Sequence, residues 1–231
     1  MSASLPDRLL SLFSWICALV LTAGVSIIIG FLILKGWRSL NLDLIFADTR
    51  PWDAILLKRQ VFGGLFPAMV GTFLLILLSV GIALPLGLCA GIYLAEYASP
   101  KSRHVFGFMV ELLAGTPSIV VGLFGFSITI FLHHFYNSRI YPCLLISALS
   151  LAFLVLPYII KTTQGAIKRI PLLTRLTAPA LGATKLQNVV LVLLPLALAD
   201  IISGVVLAIG RCAEDTAVIM LTGVEIGRAH V

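Results

Sequence analysis

In a strongly apolar chain, one charged run stands out: Ile209-Gly210-Arg211-Cys212-Ala213-Glu214-Asp215-Thr216. Counting about 1.5 Å per helical residue, Arg211 lies roughly 16 Å beyond Asp200. If Asp200 marks the membrane boundary, that is near the bilayer midplane, where a charge costs at least about 2.5–3.5 kcal/mol on insertion scales. Glu214 and Asp215 follow three and four residues later, so both are expected on the helix face of Arg211. The cluster has two physical readings. It is a self-neutralising ion pair, or it is a path for anions, because the guanidinium fork matches an oxyanion. Carboxylates repel a bare oxyanion but accept a hydrogen bond from one that keeps a proton. Such a site suits phosphate better than sulfate. Thr216 adds a hydroxyl to the expected path.

A second group of hydroxyls sits in Ala114-Gly115-Thr116-Pro117-Ser118-Ile119-Val120-Val121-Gly122-Leu123-Phe124-Gly125. Pro117 and the glycines predict a broken or tightly packed helix, with Thr116 and Ser118 at the break. Interrupted membrane helices expose backbone groups that bind ions, while close helix packing through small residues explains the same composition.

The stretch 161–195 is a basic, turn-rich island holding Lys161, Lys168, Arg169, Arg175 and Lys185. Basic excess in a short loop marks the cytoplasmic side of a membrane protein. Gly182 suits a turn between two short helices, since it adopts backbone conformations closed to other residues. Pro195 lacks an amide donor and is expected to break the helix where the chain re-enters the membrane. Residues 183–191 between them can pack while turning one face to a soluble partner. Ala180, Gly182, Ala183, Lys185 and Pro195 are the residues expected to carry this coupling.

No His-Glu-x-x-His, phosphate-cradling Gly-rich loop ending in Lys-Ser/Thr, or Gly-x-Ser-x-Gly occurs in the sequence. His133 and His134 read as a solvated or interfacial pair. The four cysteines read as small hydrophobes of helices. No catalytic residue, metal or cofactor is expected, and any ATP hydrolysis belongs to another chain.

The elements that must position these groups are membrane spans. Of 231 residues, 60% are hydrophobic and 11% charged, against about 25% charged in a soluble domain. The net charge of +6 fits loops facing anionic lipid and does not call for nucleic acid. Five spans are expected, at about 9–34, 66–93, 110–132, 143–160 and 201–223, with 189–198 an interfacial approach helix. The first apolar run is too long for a cleavable signal. With the N-terminus cytoplasmic, Arg8, Lys101, Arg103 and the five loop bases face inward, against Lys35, Arg38, Arg50, Lys58, Arg59 and Arg139 outside. The tail Glu225-Ile226-Gly227-Arg228-Ala229-His230-Val231 differs from the rest and resembles the translation of a common sequencing adapter. It is expected to be foreign, with a sixth span missing.

The Gly182 to Val192-Leu193-Leu194-Pro195 spacing resembles the coupling loop of ABC-importer permeases. Leu176, Thr177 and Ala178 stand at that family's Glu-Ala-Ala positions, which removes one charged contact to a partner. Further runs are similar to the phosphate-importer (PstA-like) permeases. These are Gly63-Gly64-Leu65-Phe66-Pro67-Ala68-Met69-Val70-Gly71-Thr72, Tyr93-Leu94-Ala95-Glu96-Tyr97, the Ala114–Gly125 run and Ile209-Gly210-Arg211 onward. The resemblance covers about residues 62–223. It implies an all-α, polytopic bundle of the type I ABC importer permease kind, five spans being present of six. Residues 1–60 would form the first span and outer loop, and 61–224 the permease domain with its coupling loop at about 161–195. Residues 225–231 would be the foreign tail.

The resemblance also implies partners: a cytoplasmic ABC ATPase dimer, a homologous permease subunit, and a periplasmic or extracellular phosphate-binding protein. The setting would be the bacterial inner membrane. It places Gly182 at the coupling-loop glycine and Arg211 at a membrane-buried arginine, while Glu214 stands where a glycine is common. Two rivals remain: the same machine for another oxyanion or solute, and a passive channel or membrane scaffold without energy coupling.

Overall fold

The structure, a computed structural model, describes residues 5–37, 44, 65–135 and 143–222. Gly63, Gly64, Arg139, most of the polar segment 35–60 and the tail 225–231 lie outside the described residues. Among the described residues every regular element is helical, and five helices are long and apolar enough to cross a membrane.

The chain divides into two units, 1–67 and 68–231. The first contains α1, Leu5–Gly36, with Asp7 in its first turn and Lys35 in its last, charges that suit the helix dipole. Phe13, Leu19 and Val25 point out from different sides of α1 and are all exposed. A helix apolar all round is made for lipid or for burial.

The second unit begins on α2, Phe66–Ile92, which ends in a wide π turn at Tyr93–Tyr97. Next comes α3, Pro100–Ala114, capped by Ser99, whose hydroxyl accepts from the Ser102 amide, and started by Pro100 at its first position. After the break at 115–117 runs α4, Ser118–Phe135. The expected span at 110–132 is therefore two helices, and only α4 is long and apolar enough to cross a membrane. Pro117 has no amide to donate and disfavours helix in the residue before it. Gly115 closes α3 by donating to Glu111 and Leu112 carbonyls.

The inner helix is α5, Leu144–Arg169, far more buried than any other span. It runs nine residues beyond the expected 143–160, so Lys161, Lys168 and Arg169 sit on its last turns instead of in a loop. Small residues let its neighbours approach. A Cβ on Gly87 of α2 would lie 2.6 Å from Ile159 Cγ2, and one on Gly91 2.6 Å from Thr163 Cβ. A Cβ on Gly125 of α4 would lie 2.1 Å from Ser150 Oγ. The 115–125 run is thus both broken and tightly packed.

The loop helix α6, Leu172–Ala180, is followed by the single turn α7, Lys185–Asn188, a π turn at Val189–Leu193, and α8, Leu194–Glu214. Residues 185–214 form one continuous span, which corrects two expectations. The approach helix is part of the span, and Pro195 does not break it. In the π turn the Leu194 amide donates to Val189, five residues back. The hydrogen-bond register has already shifted there, so a residue without an amide is accommodated. The expected span at 201–223 instead stops at Asp215, and a separate helix α9, Thr216–Thr222, packs on α4.

Candidate functional site

Two places carry the residues singled out in the sequence. At the first, α6 ends in a Schellman turn: Gly182 donates to Pro179 at 2.9 Å and Ala183 to Ala178 at 3.1 Å. Gly182 has φ +89°, the left-handed region that this turn requires and glycine enters freely. Thr184 then starts α7 with a reciprocal cap. Its hydroxyl accepts from the Gln187 amide at 3.3 Å, and Gln187 Oε1 accepts from the Thr184 amide at 2.9 Å. The turn expected at Gly182 between two short helices is present.

The loop presents apolar surface on its outer side. Leu173 and Leu181 are 84% and 86% exposed, with Leu172, Leu176 and Leu186 exposed beside them. Ala180 is exposed and Ala183 half-exposed at the same turn. Contiguous exposed leucines on a basic loop mark an interaction surface. The inner side is polar and fastened. Asn188, buried, donates from Nδ2 to the Arg175 carbonyl at 2.9 Å, which binds α7 to α6. The Arg175 guanidinium forms an ion pair with Glu96 of the π turn that ends α2. Lys185 stands over the Tyr97 ring at 6.0 Å. Pro195 is exposed on the first turn of α8, away from these contacts.

Sequence reasoning missed the receiving side of this loop. Glu96 lies in the Tyr93–Tyr97 run, and the described α2 span carries no other charge before it. A lone carboxylate ending a long apolar run, in a chain with a basic loop, is the signal that could have found it. Arg103 was missed as well. Its Nε donates to the Leu94 carbonyl and its Nη2 to the Ala95 carbonyl, each at 2.9 Å. Wide turns free such carbonyls, and an arginine fork satisfies two together.

The second place is the end of α8. Arg211 is half-buried, its Nη1 lies 3.7 Å from Glu214 Oε2, and its Nε is buried without a hydrogen-bond partner. A guanidinium with an unfilled donor is where an acceptor ligand would add most. Asp215 does not join this face. It is 6% exposed, sits where α8 ends, and its Oδ1 accepts from the Val218 amide at 3.1 Å. It caps α9, so the expected pair of carboxylates beside Arg211 is reduced to Glu214. Thr216 is exposed in the first turn of α9. Thr116, in the break after α3, gives its hydroxyl to the Leu112 carbonyl of α3 at 3.0 Å, and Ser118 opens α4. Among the described residues no hydrogen bond or ion pair joins Thr116 or Ser118 to Arg211. Among the same residues no cluster of His, Cys, Asp or Glu is arranged to hold a metal.

Comparison with known proteins adds the family context. Residues 87–229 match the family described as "Binding-protein-dependent transport system inner membrane component". The chain is similar to the phosphate transport system permease protein PstA 1 of Mycobacterium tuberculosis (strain CDC 1551 / Oshkosh), 34% identical over 86% of this chain and 62% of that protein. It is 37% identical to PstA of Yersinia pestis, over 83% of this chain and 61% of the relative. To PstA of Haemophilus influenzae it is 30% identical, over 91% of this chain and 67% of the relative. The chain thus spans about three-fifths of the length of the first two. Among solved structures, a chain of the MetNI methionine ABC transporter, in inward-facing conformations, superposes with a TM-score of 0.53. It is 22% identical and covers 71% of this chain and 73% of that one, a likeness of fold.

Proposed function

Since the chain belongs to the binding-protein-dependent transport system inner membrane component family, we propose that it is a permease subunit of an ATP-driven phosphate importer. The observation that carries the reading is Arg211, a guanidinium on an apolar span with one donor unfilled and a single carboxylate nearby. Three relatives named as phosphate permeases, at 30–37% identity, support the choice of anion. Arg211 would grip two phosphate oxygens, and Glu214 would accept a hydrogen bond from the hydroxyl that phosphate keeps at neutral pH. Thr216, Thr116 and Ser118 would line the rest of the path.

The energy comes from elsewhere. A cytoplasmic ABC ATPase dimer would dock on the leucines around Gly182, and a homologous permease would supply the facing half of the path. A phosphate-binding protein outside the bacterial inner membrane would deliver the substrate. This places the loop ends of α2, α5 and α8 on the cytoplasmic side, with the N-terminus also cytoplasmic. Movement of the loop would tilt the spans between inward-open and outward-open states, as alternating access requires.

The test uses the full-length permease in cells lacking other phosphate importers, with labelled-phosphate uptake normalised to its membrane level. Arg211→Ala with Glu214→Gln removes the local charge pair together, so the protein is expected to assemble and dock its ATPase while uptake falls near zero. Arg211→Lys is expected to be impaired too, because a point charge does not replace a planar fork. Wild-type uptake by the double variant would make Arg211 a structural ion-pair member. Competition of uptake by sulfate or molybdate as strong as by phosphate would assign the machine to another oxyanion.

A further inference from the structure

The helix α2 crosses the unit far from the loop in sequence, yet its last turn is the loop's main polar anchor. Four contacts converge there. Arg175 pairs with Glu96, both side chains being less than a quarter exposed. Lys185 covers Tyr97, Arg103 holds the Leu94 and Ala95 carbonyls, and Gln164 of α5 donates to Leu94 at 3.5 Å. Beneath them Ala95, Ala166, Ile167, Val189, Leu193, Ala197 and Ile201 form one buried apolar cluster. That cluster takes residues from both π turns and from α5 and α8.

We propose that Glu96 and Arg175 form the transmission contact through which the loop moves α2. Chain connectivity already ties the loop to α5 at one end and to α8 at the other. Beyond that, α2 has only packing, the Lys185 contact with Tyr97 and the long Gln164 bond to Leu94, and lacks a firm link. The ion pair supplies that link, and its setting suits a fixed joint. It is half-buried, where screening by salt is weak. The Asn188 amide holds the Arg175 backbone, so the guanidinium is aimed by α7 as well as by α6. Arg103 likewise holds the two backbone carbonyls just before Glu96, those of Leu94 and Ala95, which steadies the turn that carries the carboxylate. Each partner is thus anchored to a different body, and the pair is the only ion pair among the described residues that joins α6 to the end of α2. Neither residue lies on the exposed leucine face, so the joint is separate from the docking surface. Both are positioning residues, acting on the path through the helices they connect.

This inference rests on the reading of the loop as the ATPase coupling element, and its test separates the two. The experiment uses the full-length permease purified in its assembled complex and reconstituted in vesicles, measuring labelled inorganic phosphate moved per ATP hydrolysed. Absence of a co-purifying ATPase from the unaltered protein would overturn the coupling reading itself. Where the unaltered complex assembles and couples, Glu96→Gln and Arg175→Gln are expected to keep ATPase docking and hydrolysis. Phosphate moved per ATP should drop at least about fivefold, the lower edge of ordinary site-to-site coupling. The exchange Glu96→Arg with Arg175→Glu should recover most of the ratio. Unchanged ratios in both single variants would overturn the proposal.

A second measurement covers variants that fold poorly. Glu96→Cys with Arg175→Cys is joined by a reducible bis-methanethiosulfonate spacer, with the protein bearing only its native cysteines treated alike. If the two positions move as one body, the joined form transports and its reduction lowers phosphate moved per ATP. If joining them stops turnover, the loop must part from α2 in the cycle and the joint does not exist.

Discussion

Replacement of Gly182 tests whether the loop's docking surface depends on one backbone conformation. The glycine sits at φ +89° in a turn that closes α6 through two hydrogen bonds, its own to Pro179 and that of Ala183 to Ala178. A Cβ built there meets nothing within 4 Å, so a side chain has room and the penalty falls on the backbone alone. For an L residue the left-handed region costs roughly 1–2 kcal/mol, and a β-branched side chain is worse placed there than others. Asparagine tolerates the region better. A penalty of this size is a factor of about 5–30 in the population of the closed turn. Leu181 and Leu186 flank this turn and are exposed, so opening it would displace them and ATPase docking should weaken by up to that factor.

The series Gly182→Asn, Gly182→Ala and Gly182→Val should therefore weaken docking in that order. Titration of the purified full-length protein with the proposed ATPase partner gives the affinity, and uptake normalised to membrane level should follow it. Hydrogen exchange of the Ala183 amide, which the turn protects, should speed up in the same order. Wild-type docking by Gly182→Val would refute the reasoning outright. If Asn harmed docking as much as Val, the cause would be a side chain striking the partner, and the backbone explanation would fall.

Gly125→Ala should lower the folded membrane level, since its Cβ would sit 2.1 Å from Ser150 Oγ and overpacking of this kind typically costs about 1–3 kcal/mol. Ser150→Ala in the same chain should recover part of the loss by removing that oxygen, and no recovery on thermal unfolding in detergent would argue against the contact. Asp215→Ala should destabilise by about 1 kcal/mol as a lost helix cap, whereas Asp215→Asn keeps an accepting oxygen and should be close to wild type in stability. Equal damage from both would show that the charge of Asp215, and not its cap, is what matters.

The sequence was most informative where local chemistry settles the structure. Apolar length marked the spans, and a glycine in a basic, turn-rich stretch at a fixed spacing from Pro195 marked the turn at Gly182. Both follow from residues close in sequence, and neighbours in space cannot easily override them. Asp215 shows the limit. At i+4 from Arg211 it fits a continuing helix, and followed by Thr216-Ala217-Val218 it equally fits a cap before a new one. The apolar periodicity of 201–223 favoured the first, but the Val218 amide and the packing of α9 on α4 select the second. Pro195 misled in the opposite sense. A proline normally announces a break, but the π turn just before it had already moved the hydrogen-bond register, and no residue of Val189–Leu193 signals such a turn.

The joint at Glu96 was illegible for a different reason: its two halves are 79 residues apart. A sequence can show that a carboxylate ends one apolar run and that arginines crowd a later loop. It cannot say which of Lys161, Lys168, Arg169, Arg175 and Lys185 reaches the carboxylate. The structure distributes them. Lys161 lies 3.9 Å from Glu111 and Arg169 3.3 Å from Asp200, both exposed pairs that are worth little individually. Lys185 goes to an aromatic face. Arg175 alone reaches Glu96, and of these pairs theirs is the most buried. The basic island therefore has two functions that its composition does not separate. Its charge is what the proposed cytoplasmic sidedness rests on, and one of its arginines fastens the loop to a helix that neither end of it touches in sequence.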